Sequence, residues 1–177
     1  MIVDLRAILQ GPNHFDFTLG SDWWEGDEKN GQIMGLGAPL KAHISISRLG
    51  DRHVLDGSLS GVVQVWCARC LEPYHRDLKS EFRLFLTSPP ADTDQNELEL
   101  SEDDMWGDFV TGDDVDLHDI IREQIYLSLP MKSLCREDCS GLCPVCGTNL
   151  NKKRCDCERV NGDHGFSKLK DLKLKEG

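Results

Sequence analysis

Hydrophobic and polar positions alternate along several stretches of the first half of the chain. Between positions 40 and 47 every second residue is apolar, a period of two that is typical of a strand with one buried face. The same pattern, with glycine between two of the segments and a Gly50-Asp51 turn, predicts strands over 14–19, 40–47, 54–59, 61–66 and 82–86. These segments predict a mostly antiparallel β-meander.

One helix is predicted over 116–129, where the apolar spacing changes from two residues to four. Four apolar residues recur at four-residue steps on one helix face: Leu117, Ile121, Ile125 and Leu129. Asp116 is suited to cap the start of this helix, and Pro130 ends it. We therefore predict an α+β fold in which an antiparallel sheet, or a partly open barrel, packs against the helix and carries a C-terminal zinc-knuckle appendage.

The length of 177 residues favours one domain with a small appendage. We predict a β-rich core domain over 1–130, with an acidic loop at about 87–115, and a Cys-rich metal-binding segment with a basic tail over 131–177. Twelve acidic residues and no Lys or Arg lie between Asp92 and Asp119, which indicates a solvated loop or an acidic docking segment anchored by Trp106 and Phe109. A tight hairpin turn at 111–114 is a further interpretation.

Net charge excludes several classes of partner. The chain carries 20 Lys and Arg against 31 Asp and Glu, a net charge of −11, which argues against a protein that coats nucleic acid or an anionic membrane. No apolar stretch approaches the length of a transmembrane helix, and the first residues lack the pattern of a secretory signal. We therefore expect a cytoplasmic protein without a membrane partner.

The strongest chemical signal is a run of six cysteines near the C-terminus: Cys135, Cys139, Cys143, Cys146, Cys155 and Cys157. Clustered thiols in a reducing compartment are typical of metal ligands or redox centres. Cys143-Pro144-Val145-Cys146-Gly147 is a metal-knuckle sequence, because two intervening residues let both sulfurs face one ion while Pro144 and Gly147 favour the turn. Four thiolates suit a closed tetrahedral Zn²⁺ site.

We expect four of the six thiols to hold one ion, with Cys143 and Cys146 assigned by the knuckle. The other two ligands come from Cys135, Cys139, Cys155 and Cys157, and spacing alone does not choose among the combinations. Zinc is the favoured metal. Because tetrahedral sulfur also suits iron, the alternative is a rubredoxin-like electron-transfer or thiol-redox protein.

Cys67 and Cys70 form a second thiol pair with two interpretations besides catalysis. A thioredoxin-like pair would open a helix, whereas here a turn into another strand follows, so we favour a structural pair at a strand exit. Participation in a metal site with the distal thiols is the other interpretation.

The chain has no phosphate-binding glycine loop, nucleophile elbow or zinc-protease motif, so we predict neither an enzyme nor a small-molecule substrate.

These motifs together resemble a known family. Cys67-x-Arg69-Cys70-Leu71 is followed by an acidic spacer, by Leu129-Pro130-Met131-Lys132, and by Cys-Ser-Gly-Leu-Cys-Pro-Val-Cys-Gly-Thr-Asn-Leu-Asn over 139–151. From about residue 40 to the end, the chain is similar to the YceD family of large ribosomal RNA subunit accumulation proteins. The resemblance implies a cytoplasmic bacterial protein with plastid relatives, and a non-enzymatic role in 23S rRNA accumulation and large-subunit assembly.

The resemblance and the charge together define the expected partner. An acidic protein gains little from phosphate contact, so we expect it to bind a basic ribosomal protein or a pre-large-subunit particle. Direct rRNA contact is expected to be weak or indirect. It would fall on the basic residues after the knuckle: Lys152, Lys153, Arg154, Arg159 and the lysines between 168 and 175.

Overall fold

The fold is known from a computed structural model, which describes residues 1–8, 11–24, 32–50, 52–87, 107–109 and 112–157. Its elements are seven strands and one helix: β1 (Ile2–Asp4), β2 (Asn13–Leu19), β3 (Ile33–Leu49), β4 (Arg52–Trp66), β5 (Pro73–Thr87), β6 (Gly107–Phe109), β7 (Asp114–Asp116) and α1 (Leu117–Ser128). Short 3-10 turns follow β1 and β2, at Leu5–Ala7 and Ser21–Trp24. All of these elements come before residue 129. In the described chain, 131–157 consists of turns and one isolated bridge, without a helix or a strand.

The main sheet has five strands in the order β2-β3-β4-β5-β6, and β1 pairs with β7 in a separate two-stranded sheet. Every described pairing is antiparallel except that of β5 with β6. The antiparallel sheet that alternation predicts is therefore confirmed. The five-stranded sheet is open, with β2 and β6 at its edges, so the partly open barrel is not the observed form.

Two local predictions are wrong in the described chain. β4 runs unbroken through Gly61, where the sequence predicts a break between two strands. A Cβ at Gly61 would lie 3.0 Å from Cα of Leu40, so this glycine permits close approach of two strands instead of ending one. The hairpin interpretation of 111–114 also fails, because β6 pairs with β5 while β7 pairs with β1.

The helix and one face of the sheet enclose the core. Asp116 caps α1 by accepting a hydrogen bond from the backbone N–H of His118 at 2.9 Å, as expected from the sequence. Three of the four residues of the predicted apolar face are fully buried, whereas Leu129 follows the end of the helix and is partly buried. The three join sheet residues in one cluster of fully buried side chains: Leu40, Ile44, Ile46, Leu55, Val63, Val65, Leu117, Ile121 and Ile125. Apolar burial therefore holds the helix against the sheet.

Several sequence predictions lie outside the described residues. These include most of the acidic loop with Trp106, the residue Arg159 and the basic tail. Within the part of the chain that the structure describes, no helix has the length and apolar character needed to cross a bilayer. The division between a core domain at 1–130 and a segment at 131–177 remains a prediction.

Candidate metal centres

The eight cysteines fall into two groups of four. The bridging group contains Cys67, Cys70, Cys135 and Cys139, and the terminal group contains Cys143, Cys146, Cys155 and Cys157. Within each group the four Sγ atoms lie within 4.8 Å of one another. The bridging group joins the turn between β4 and β5 to the segment after the helix, whereas the terminal group draws all its thiols from 143–157.

Sulfur separations in the bridging group match a tetrahedral metal site. Sγ of Cys67 lies 3.7 Å from Sγ of Cys139, and Sγ of Cys70 lies 3.8 Å from Sγ of Cys135. A regular tetrahedron with metal–sulfur bonds of ~2.3 Å has edges of about 3.8 Å. A disulfide would bring two sulfurs to about 2 Å, so these are free thiols whose separations would accommodate one ion.

Both groups contain the same backbone knuckle. In the terminal group the N–H of Gly147 donates to the carbonyl of Cys143 at 2.9 Å, and Gly147 has a φ of +72°. In the bridging group the N–H of Leu71 donates to the carbonyl of Cys67, also at 2.9 Å, and Leu71 has a φ of +55°. Leucine is disfavoured in this left-handed region, so the knuckle imposes a conformation that the residue itself does not prefer.

Residues 141–143 lie between the two groups and form hydrogen bonds on both sides. On one side the N–H of Leu142 donates to the carbonyl of Arg69 at 3.1 Å. On the other side the N–H of Cys143 donates to the carbonyl of Thr148 at 2.8 Å. Gly141 has a φ of +70°, and a Cβ there would lie 3.0 Å from the Arg69 carbonyl oxygen, so this approach requires glycine.

Side-chain amides also connect the two groups. The amide nitrogen of Asn151 donates to Sγ of Cys139 at 3.3 Å, although Asn151 belongs to the loop between Cys146 and Cys155. Glu72, next to the bridging knuckle, accepts hydrogen bonds from Asn149 at 3.3 Å and from Lys152 at 2.8 Å. The loop of the terminal group is therefore hydrogen-bonded to the residues of the bridging group.

Thiol ionisation within the bridging group is uneven. Burial opposes ionisation of Cys67, but backbone N–H groups of Cys135, Cys70 and Arg69 donate to its sulfur and lower its pKa to about 6. Burial and the hydrogen bond with the Cys67 sulfur raise the pKa of Cys135 to about 12. One thiolate therefore forms readily, and its charge makes a neighbouring thiol retain its proton.

The terminal group shows the same division. The hydroxyl of Thr148 lies 3.1 Å from Sγ of Cys146 and, with the Thr148 backbone N–H, lowers the pKa of Cys146 to about 6. The hydrogen bond with Cys146 raises the pKa of Cys157 to about 12. A divalent cation would neutralise this repulsion and let all four thiols ionise, so the donor set of each group fits a metal that prefers sulfur.

The structure separates the six distal cysteines that the sequence treats as one pool. Cys143 and Cys146 lie with Cys155 and Cys157, one of the combinations that spacing leaves open, and Cys135 and Cys139 lie with Cys67 and Cys70. The ligand set itself remains a prediction. The repeated Cys-x2-Cys spacing and a total of eight cysteines were the signals that could have indicated two groups of four.

Basic residues proposed for RNA contact have different surroundings. Lys152 forms an ion pair with Glu72 at 2.8 Å. Lys153 and Arg154 are exposed. Asn151, Asn149 and Glu72, which sequence reasoning did not single out, are among the polar residues that contact the thiol groups or connect them.

An open sheet packed on one helix, with two four-thiol groups that could each hold a metal ion, defines a β-rich protein with two candidate metal sites. Residues 55–173 match the model of the family described as large ribosomal RNA subunit accumulation protein YceD. The chain belongs to this family.

Individual relatives agree with that assignment. The chain is 30% identical over 158 residues to "Large ribosomal RNA subunit accumulation protein YCED homolog 1, chloroplastic" of Arabidopsis thaliana, covering 77% of this chain and 49% of that protein. The protein of the same name from Zea mays is 30% identical over 155 residues, covering 75% and 53%. An uncharacterized protein of Mycobacterium tuberculosis H37Rv is 31% identical over 114 residues, covering 64% and 53%. The chain thus spans about half the length of these relatives, and no solved structure matches it.

Proposed function

We propose that this protein is a non-enzymatic ribosome-biogenesis factor needed for accumulation of 23S rRNA and assembly of the large ribosomal subunit. The observation that carries the proposal is membership of the YceD family, together with plant relatives named for accumulation of the large ribosomal RNA subunit. We place the protein in the bacterial cytoplasm, which corresponds to the chloroplast location of its plant relatives.

Binding is favoured over catalysis by the form of the thiol groups. A catalytic zinc site keeps one coordination position open for water or substrate, whereas four cysteine ligands close a tetrahedral site. Each group here offers four sulfurs from the described residues. Metal ions at these sites would therefore hold a surface in shape without activating a substrate.

Charge favours a basic protein partner. With a net charge of −11, the chain would be attracted to a basic ribosomal protein or to a pre-large-subunit particle that displays one. Of the cations after the knuckle, Lys152 is paired with Glu72, which leaves Lys153 and Arg154 as exposed charges for rRNA phosphates among the described residues. Contact with naked rRNA is therefore expected to be weak and to fall steeply with salt.

The test is removal of the gene from the organism that carries it, followed by measurement of 23S and 16S rRNA and of subunit profiles. We expect less 23S rRNA relative to 16S and a shortage of large subunits, both restored by the wild-type gene. An unchanged ratio would contradict the proposed role. Recovery of the tagged full-length protein with naked 23S rRNA, in a complex indifferent to salt, would contradict the proposed partner.

The metal proposed for this role is zinc. Four-sulfur geometry also fits iron, and an iron–thiolate centre would support the alternative of an electron-transfer or thiol-redox protein. Colour separates the two, since iron–thiolate protein absorbs visible light and zinc protein is colourless. Coloured material with stoichiometric iron would overturn the zinc assignment.

A further inference from the structure

We propose that the chain binds two metal ions, one in each thiol group, and that Asn151 couples the two sites. The ion in the bridging group would clamp the segment after the helix to the turn between β4 and β5. This inference concerns metal binding in the purified protein and does not depend on the proposed ribosomal role.

The bridging group has the geometry of a metal site in its own right. Its sulfur separations of 3.7 Å (Cys67 to Cys139) and 3.8 Å (Cys70 to Cys135) agree with the edge of about 3.8 Å expected for a tetrahedral zinc–thiolate site. Its knuckle repeats the hydrogen bond and left-handed residue of the Cys143-to-Gly147 knuckle, and it does so with a leucine. A disfavoured conformation at a site of matching geometry indicates that the knuckle is shaped for a ligand.

The ion would connect parts of the chain that are far apart in sequence. Cys67 and Cys139 are separated by 72 positions, and Cys70 and Cys135 by 65. Hydrogen bonds already follow the same path, because the N–H of Ala68 donates to the Ser133 carbonyl at 2.7 Å. A bond that closes such a long loop restricts the unfolded chain strongly, so this ion would order the segment more than one held by nearby residues.

Coupling between the sites follows from the position of Asn151. Its side chain donates to the Cys139 sulfur of the bridging group at 3.3 Å, while its own loop is closed by Cys146 and Cys155 of the terminal group. Asn151 also accepts hydrogen bonds from the Ser140 backbone at 2.8 Å and from Arg136 at 2.7 Å. An ordered terminal site would therefore hold a donor against a thiolate of the other site, which makes Asn151 a positioning residue.

The experiment measures zinc per chain in the full-length protein by mass spectrometry and follows release to a chromophoric chelator. We expect two ions in the wild-type chain, one in Cys67→Ser, one in Cys157→Ser, and two in the control Lys153→Ser, which changes an exposed residue in the same segment. A wild-type chain that saturates at one ion, or a Cys67→Ser chain that still binds two, would overturn the two-site proposal.

Asn151→Ala keeps all eight thiols, so it tests the coupling even if a cysteine variant fails to fold. We expect it to bind two ions and to release one of them roughly 10–100-fold more readily, the range for loss of a residue that supports a metal ligand. Cobalt substitution should give the absorption of tetrahedral four-thiolate sites in this variant and in the wild type. Release of both ions at wild-type rates from Asn151→Ala would overturn the coupling.

Discussion

The sheet-and-helix core and the cysteine segment at 131–157 are stabilised by different means. In the core, apolar side chains such as Ile44 and Ile121 are fully buried between the sheet and α1. In the described part of the cysteine segment, the buried side chains are those of Ser133, Cys139 and Cys143. One region excludes water from hydrocarbon, and the other surrounds sulfur with backbone and amide donors.

This difference implies that the two regions respond to different perturbations. A core side chain contributes through area removed from water and through packing, so its truncation weakens the whole domain. A segment with so little buried hydrocarbon needs another source of folding free energy, which the proposed metal ions would supply.

Metal removal is expected to have the largest effect. Structural zinc contributes on the order of 10 kcal/mol or more to the folding of small thiolate sites. A strong chelator should therefore remove hydrogen-exchange protection from amides 135–157 while the strands between 40 and 87 remain protected. Zinc added back should restore the protection. Full protection from end to end in metal-free protein would contradict this division of stability.

Truncation of Ile121 should act on the core. Ile121 is fully buried on α1, and Ile121→Ala is expected to lower the free energy of unfolding by roughly 2–5 kcal/mol in urea titrations. Zinc content per folded chain should not change. The matched control is Leu127→Ala on the same helix, where the side chain is 68% exposed and the expected change is within about 0.5 kcal/mol. Equal effects of the two substitutions would refute the packing argument.

Loss of the helix cap should have a smaller effect that depends on pH. The Met1 amine and the His118 backbone N–H lower the pKa of Asp116, and Asp116→Ala is expected to cost about 1 kcal/mol at neutral pH. A lowered folded-state pKa means that the charge stabilises the fold above the unfolded value of ~3.9 and that this is lost as pH falls through the folded value.

Urea unfolding of metal-free wild type and metal-free Asp116→Ala measures this cap effect, because thiol titration is common to both chains and cancels in the difference between them. The difference between wild type and Asp116→Ala should shrink on going from neutral pH to below the folded-state pKa of Asp116. Asp116→Asn, which retains a capping oxygen without charge, should lose much of the pH dependence. A difference that is constant over this pH range would rule out the charged cap.

The smallest expected effect lies in the bridging knuckle and has the opposite sign. Leu71 is 59% exposed and has a φ of +55°, so Leu71→Gly should relieve strain while losing little burial. Because glycine also raises the conformational entropy of the unfolded chain, and this entropy is lost on folding, we expect a gain in stability of at most about 1 kcal/mol. Slower zinc release from the bridging group would register that gain, whereas faster release would indicate that the leucine side chain itself supports the knuckle.

Local patterns predicted much of the fold because their physical basis is local. Alternation identified the buried face of the strands around Ile44, and four-residue spacing with Asp116 identified α1. Gly61 misled the prediction, since a glycine that ends a strand and one that admits a neighbouring strand look alike in sequence. The partners of β6 and β7 were also inaccessible, because strand pairing depends on the path of the intervening chain.

For the thiol groups, the sequence by itself determined that cysteines at metal-ligand spacing are present and that a knuckle begins with Cys143. The second knuckle, at Cys67, was found only in the structure. Only the tertiary structure decided which pairs of thiols meet. The turn after β4 and the segment after α1 converge, which brings Cys67 and Cys70 to Cys135 and Cys139 and leaves Cys155 and Cys157 for the other knuckle. Spacing along the chain limits nearby ligands, but distant ligands are selected by packing of the sheet and helix that separate them.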